Sequence, residues 1–185
     1  MKKLKLFFAL FAMLALGVTN VWGAEYEIVA KKGSGDGSSL STSTKVTDVF
    51  SNGTYVAKFT TATKSYYNGS NGLKLGASSS AGDLKFALTD GGKVKATTII
   101  VSAKRYNTSK SVTLQVIAGG VTCTAQTIST SSNFADYTYT INANITDIQL
   151  KTSKYCWVES ITINYEGGGT EEPADCLIPK NMIFG

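Results

Sequence analysis

The sequence predicts an all-β chain folded as an antiparallel two-sheet β-sandwich, and three observations carry that prediction. Apolar residues alternate with period two in one segment after another, as in half-buried strands. Turn signals separate the segments at Asn52-Gly53, Asn68-Gly69, Asn71-Gly72 and Asp90-Gly91, where tight hairpins need positive φ. No ten-residue stretch beyond the N-terminal apolar run has helical periodicity, and roughly nine to eleven short strands are expected.

At the N-terminus, Lys2, Lys3 and Lys5 precede an unbroken apolar run from Leu6 to Leu16, followed by Gly17, Val18 and Gly23. This is the pattern of a secretory signal peptide over residues 1–23. The run is too short for the ~20 residues that span a bilayer, so no permanent membrane span is expected. Without this segment, 15 basic residues face 13 acidic ones for a net charge of +2, and Arg105 is the single arginine. A phosphate-tracking surface is not indicated, so nucleic acid is not an expected partner.

The remaining chain of about 160 residues suits one sandwich domain over residues 24–166, large enough to bury a sizeable core. Glu25 to Ala30 places Tyr26 and Ile28 on one face and reads as an edge strand. Lys31 to Lys45 is rich in glycine and serine and reads as a flexible surface loop. Its GSGDG stretch lacks the Lys-Ser/Thr pair of a phosphate-binding loop. Asp36 has no second carboxylate at calcium-ligand spacing.

Strand-like runs follow at Val46–Phe50, Thr54–Thr60, Gly72–Leu75 and Asp83–Leu88, the last setting Leu84, Phe86 and Leu88 against Asp83, Lys85 and Ala87. Lys93–Tyr106 is the central strand, because Ile99, Val101 and Ala103 share one face while Ala96, Thr98 and Ile100 share the other, and neither suits full exposure. The same period continues through Val112, Leu114 and Val116, through Val121, Cys123 and Ala125, through Tyr137, Tyr139 and Ile141, and through Ile148 and Leu150. In the last strand, Tyr155–Tyr165, the apolar phase of Ile161, Ile163 and Tyr165 leads back to Glu159. A β-bulge near Glu159 and Ser160 restores Val158 and Cys156 to the inside and turns Tyr155 and Trp157 outward.

The stretches GLKLGASSSAGDLKFAL, KVKATTIIVSAKRY, NFADYTYTI and WVESITINYE, between Thr54 and Glu166, resemble a jelly-roll-type module of secreted bacterial multidomain proteins. The resemblance implies a carbohydrate-binding-like β-sandwich with an accessory role beside nucleases, glycosidases, proteases or adhesins, without implying one ligand. GGGTEEPAD, residues 167–175, reads as an inter-domain linker. Residues 176–185, CLIPKNMIFG, resemble the first strand of a fibronectin type III module through Pro179, Asn181, Met182 and Ile183. They are expected to open a truncated following domain or to dock on the sandwich edge.

The chain has no histidine, which removes the commonest general base and metal ligand. The carboxylates Asp83, Asp90, Asp136, Asp147 and Glu159 are isolated, and the three cysteines lack metal spacing. Neither an enzyme nor a cofactor is expected. Cys123 and Cys156 fall on core-facing phases, either as buried thiols or as a disulfide, and Cys176 is left over. The candidate ligand-binding residues are aromatic, since flat rings stack on sugar faces: Trp157, Tyr155, Tyr66, Tyr67 and Tyr106, with Arg105 beside them. Adjacent Tyr66 and Tyr67 are expected to send one ring to the core and one to the surface. The expectation is a secreted or cell-surface accessory module that binds glycan or neighbouring domains of the same chain. The alternative is a structural or adhesive spacer.

Overall fold

The computed structural model describes residues 24–92, 95–107 and 109–166. The signal-peptide reading of residues 1–23, the 167–175 linker and the 176–185 strand, with Cys176, lie outside the described residues. Two antiparallel sheets face each other, as the alternation requires. The larger has the order β11 (Ala135–Asn144), β7 (Lys95–Arg105), β13 (Cys156–Tyr165), β5 (Gly72–Leu75), β4 (Ser65–Gly69) and β2 (Ser38–Ser39), and β1 (Ala24–Val29) pairs with the far half of β13. The smaller runs β10 (Gln126–Thr127), β8 (Thr113–Ala118), β12 (Asp147–Thr152), β6 (Gly82–Leu88) and β3 (Val56–Thr63), with β9 (Val121–Thr122) on β8.

β7, read as the central strand, lies inside the sheet between β11 and β13. Ile99, Val101 and Ala103 are buried in the core and Thr98 and Ile100 on the other face are half-buried, but Ala96 is buried with the core set, not on the Thr98 face. The core lies between the sheets. Leu84 and Phe86 from β6 and Leu114 from β8 join Ile99 and Val101 from β7 and Ile161 from β13, each at most 1% exposed. Burying side chains of this size contributes roughly 1.5–3 kcal/mol each relative to exposure. β13 carries the expected bulge: its register with β7 shifts between Val158 and Ser160. Cys156 and Val158 therefore face the core at 0% and 1% exposure, in phase with Ile161 and Ile163.

Several local expectations are corrected. Val46–Val49 is one turn of helix, α1, not a strand; the Phe50 amide donates to the Val46 carbonyl, and only Val49 of the turn is buried. Five residues were too few for periodicity to separate helix from strand. The 31–45 segment is not a free loop. It contains β2, buries Leu40, and ties down through Lys31 N–H to Val49 O and Gly33 N–H to Gly69 O. β9 stops at Thr122, so Ala125 is exposed instead of core-facing, while Cys123 and Leu88 pack against the core only half-buried.

Cys123 and Cys156 are both free thiols, so no disulfide joins them. The Cys123 Sγ sits 3.6 Å from the Thr140 carbonyl of β11, while Cys156 faces the core from β13. β7 lies between those strands. Two strand spacings, roughly 10 Å, exceed the Cα separation of about 7 Å that a disulfide tolerates. Burial pushes the Cys156 thiol up to about 12.

Candidate functional site: the outer face of the larger sheet

The site begins at a hairpin. β4 and β5 turn through Gly69 and Gly72, and β4 has one residue too many between Tyr66 and Gly69, with Asn68 at φ 56°. That bulge sets the sides: Tyr66 faces outward beside Lys74, and Tyr67 packs against the core. One of the two adjacent rings is therefore removed from the candidate set. In β5, Leu73 and Leu75 point inward at 0% exposure, so period two sends Lys74 to the outer face.

Register extends this position into a row across four strands. Tyr66 pairs with Lys74, Lys74 with Trp157, and Trp157 with Lys104. Trp157 thus points away from the core, as the bulge demands. Its ring is nonetheless buried, at 4% exposure. From below, the ring lies over Gly69, where an added Cβ would stand 2.5 Å from Trp157 Cζ3; no other residue fits there. From above, Tyr106 stacks on it with centroids 5.6 Å apart and planes at 21°. The expectation of an exposed tryptophan is corrected: a second, small apolar layer covers it.

Tyr106 is held over Trp157 by the segment that composition marks as loop. Its hydroxyl donates to Asp36 Oδ1 at 2.7 Å, and Asp36 Oδ2 accepts from Lys74 Nζ at 2.8 Å. Lys74, 8% exposed, also lies over the rings of Tyr66 at 4.5 Å and Tyr106 at 5.4 Å. The hydrogen bonds from Lys74 and Tyr106 hold the Asp36 carboxyl below its usual range, and the bond to Asp36 raises the Tyr106 phenol. Tyr155 packs against Tyr106 at 4.4 Å, and its hydroxyl accepts from Asn107 Nδ2 at 2.9 Å. Tyr66, Tyr106, Tyr155 and Asn107 remain half-buried, each with an edge open to solvent.

The row continues past Lys104 to Phe134, whose ring lies 4.6 Å from Lys104 Nζ and 5.8 Å from Lys32 Nζ. Lys32 pairs with Glu159 at 2.5 Å. An open groove of about 750 Å³ adjoins this end, lined among others by Glu27, Lys31, Lys32, Asn68, Glu159 and Ser160. Asn68 Oδ1 is buried and finds no partner among the described residues. Arg105 serves the scaffold instead, its guanidinium donating to the Ser129 carbonyl at 3.1 Å and so anchoring the segment before β11. Tyr26, stacked on Tyr55 at 4.3 Å, belongs to a separate cluster at the rim of the core.

Of the six candidates, the structure brings Trp157, Tyr155, Tyr106 and Tyr66 to one face and sends Tyr67 and Arg105 elsewhere. Asp36, Lys74, Asn107, Lys104 and Phe134 complete that face and were not singled out from sequence. Alternation alone could have found Lys74, which stands between buried Leu73 and Leu75, and Lys104, which follows buried Ala103 out of phase with Ile99 and Val101. Asp36 had no local signal. Among the described residues no group of acidic or cysteine side chains could hold a metal ion, and no helix is long and apolar enough to cross a membrane.

Solved structures similar to this chain include carbohydrate-binding modules. One is the CBM36-1 domain of a multidomain xylanase from the hindgut metagenome of Trinervitermes trinervoides, with 12% identity over 79% of this chain and 99% of that one, at a TM-score of 0.40. Another is a family 29 carbohydrate-binding module, with 14% identity over 78% of this chain and 90% of that one, at a TM-score of 0.43. No protein-family model matches the chain, and no curated protein matches it.

Proposed function

We propose that this chain is an exported, non-catalytic module that binds glycan on the outer face of its larger sheet. The observation that carries the reading is the row Tyr66, Lys74, Trp157 and Lys104 across β4, β5, β13 and β7, with Tyr106 and Tyr155 stacked over it. Ring edges and faces supply apolar contact for a sugar, and Asn107, Asn68 and the groove carboxylates supply hydrogen-bonding groups for its hydroxyls. Burial of Trp157 moves the contact surface from that ring to Tyr66, Tyr106 and Tyr155.

The same burial favours a second reading, a structural or adhesive spacer, because Tyr106, Asp36 and Lys74 already satisfy one another. A glycan array on the purified chain separates the two. Binding to a defined glycan set, lost in Tyr155→Ala and Tyr66→Ala while the fold is kept, supports the module. Silence across the array supports the spacer.

A further inference from the structure

The cations on this face differ in how fully they are matched, and that difference bears on what the face can hold. Lys74 is buried with its ammonium 2.8 Å from Asp36, so its charge is matched and its position fixed. Lys32 pairs with Glu159, yet its side chain stays 54% exposed. Lys104 differs from both. Its ammonium lies over Phe134 and makes one long hydrogen bond, 3.5 Å, to the Ser132 carbonyl. Among the described residues no carboxylate pairs with it; Asp136 stands opposite Ser102 on β11 and pairs with no cation. Lys31 likewise donates to a carbonyl, that of Thr47 at 2.5 Å.

At one end of the row Lys104 and Lys32 share the half-buried Phe134 ring, Lys32 with Glu159 as its carboxylate and Lys104 with none among the described residues. A ring face attracts cations but supplies no full counter-charge, so an anion is the missing partner. Building on the glycan reading, we propose that the occupant is an acidic oligosaccharide: its carboxylate or sulfate sits by Lys104 and Lys32 above Phe134, and its uncharged rings run toward Tyr106 and Tyr66. The row from β7 to β4 crosses three strand spacings, roughly 14 Å, which is longer than one sugar ring.

Affinity electrophoresis of the purified chain tests this with five polymers: polygalacturonate, its fully methyl-esterified form, dextran sulfate, neutral mannan and polyglutamate. Retention by polygalacturonate or dextran sulfate is expected, and which of them retains the chain tells carboxylate from sulfate. Methyl-esterification should abolish retention by the former. Lys104→Gln should weaken binding about tenfold or more, Lys104→Arg should restore most of it, and raising salt should weaken it further. Lys58→Gln, an exposed change on the smaller sheet, should leave it unaltered. Equal retention by esterified polymer or mannan, with Lys104→Gln silent, would overturn the acidic ligand and leave the glycan reading standing. Equal retention by polyglutamate would overturn it by showing that charge alone is read. No retention by any polysaccharide would sink both.

Discussion

The outer faces of the two sheets are built on the same alternation and carry opposite chemistry. On the smaller sheet, outward residues are short or flexible and cancel one another: Lys85 pairs with Asp147 at 3.2 Å, Lys151 with Asp83 at 3.8 Å, and Gln149 donates to Asp83 at 2.7 Å. No aromatic residue stands at the outward positions of β6, β8 and β12. On the larger sheet, Tyr66 and Trp157 occupy outward positions, Tyr106 and Tyr155 stack over them, and among the described residues no carboxylate pairs with Lys104. Such a surface resembles a small core more than a solvated face.

The largest effect should come from Trp157→Ala. On an ordinary outer face a substitution costs about 0.5 kcal/mol or less, but Trp157 is 4% exposed, and its removal should cost about 3 kcal/mol in chemical denaturation. A cost near zero would erase the distinction between the faces. Gly69→Ala attacks the same layer from beneath. Its Cβ would stand 2.5 Å from Trp157 Cζ3, so a loss of about 1–3 kcal/mol is expected by the same measurement.

These effects show where the sequence is legible and where it is not. Period two locates the core, the interior place of β7 and the bulge at Glu159, because each follows from neighbours in the chain meeting two different environments. The same logic turns Trp157 outward and then fails to say what covers it. The cover comes from Tyr106 and from Asp36, 70 residues away, in a glycine- and serine-rich segment without periodicity. Tyr67 is missed for a related reason: either of two adjacent rings could face the core, and only the register of β4 with β5 decides. α1 fails through shortness alone.

A smaller effect is expected from pH, and its sign follows from the two shifted groups. Asp36 is held below its ordinary value of 3.8, so its contribution is present above that pH and lost as pH falls through the depressed value. Tyr106 is held above 10.0, so its contribution is complete below pH 10 and lost as pH rises through the raised value. Trp157 is the single tryptophan beyond residue 23 and reports directly on its cover. Its fluorescence should stay blue-shifted between those limits and move to the red below pH 3.8. Asp36→Asn should remove the acid step; an unchanged step would assign it to another carboxylate. The smallest effect belongs to the other face: Lys151→Ala should change stability by no more than about 0.5 kcal/mol, since its pair is long and exposed.

The contrast between the two faces is tested most directly by mapping amide chemical shifts in the ¹⁵N-labelled chain while a glycan that binds on the array is titrated in. Shifts concentrated at Tyr66, Lys104, Tyr106, Phe134 and Tyr155, with Lys85, Gln149 and Lys151 unmoved, are the predicted result. Shifts concentrated at Lys85, Gln149 and Lys151 instead would contradict the assignment of the ligand face.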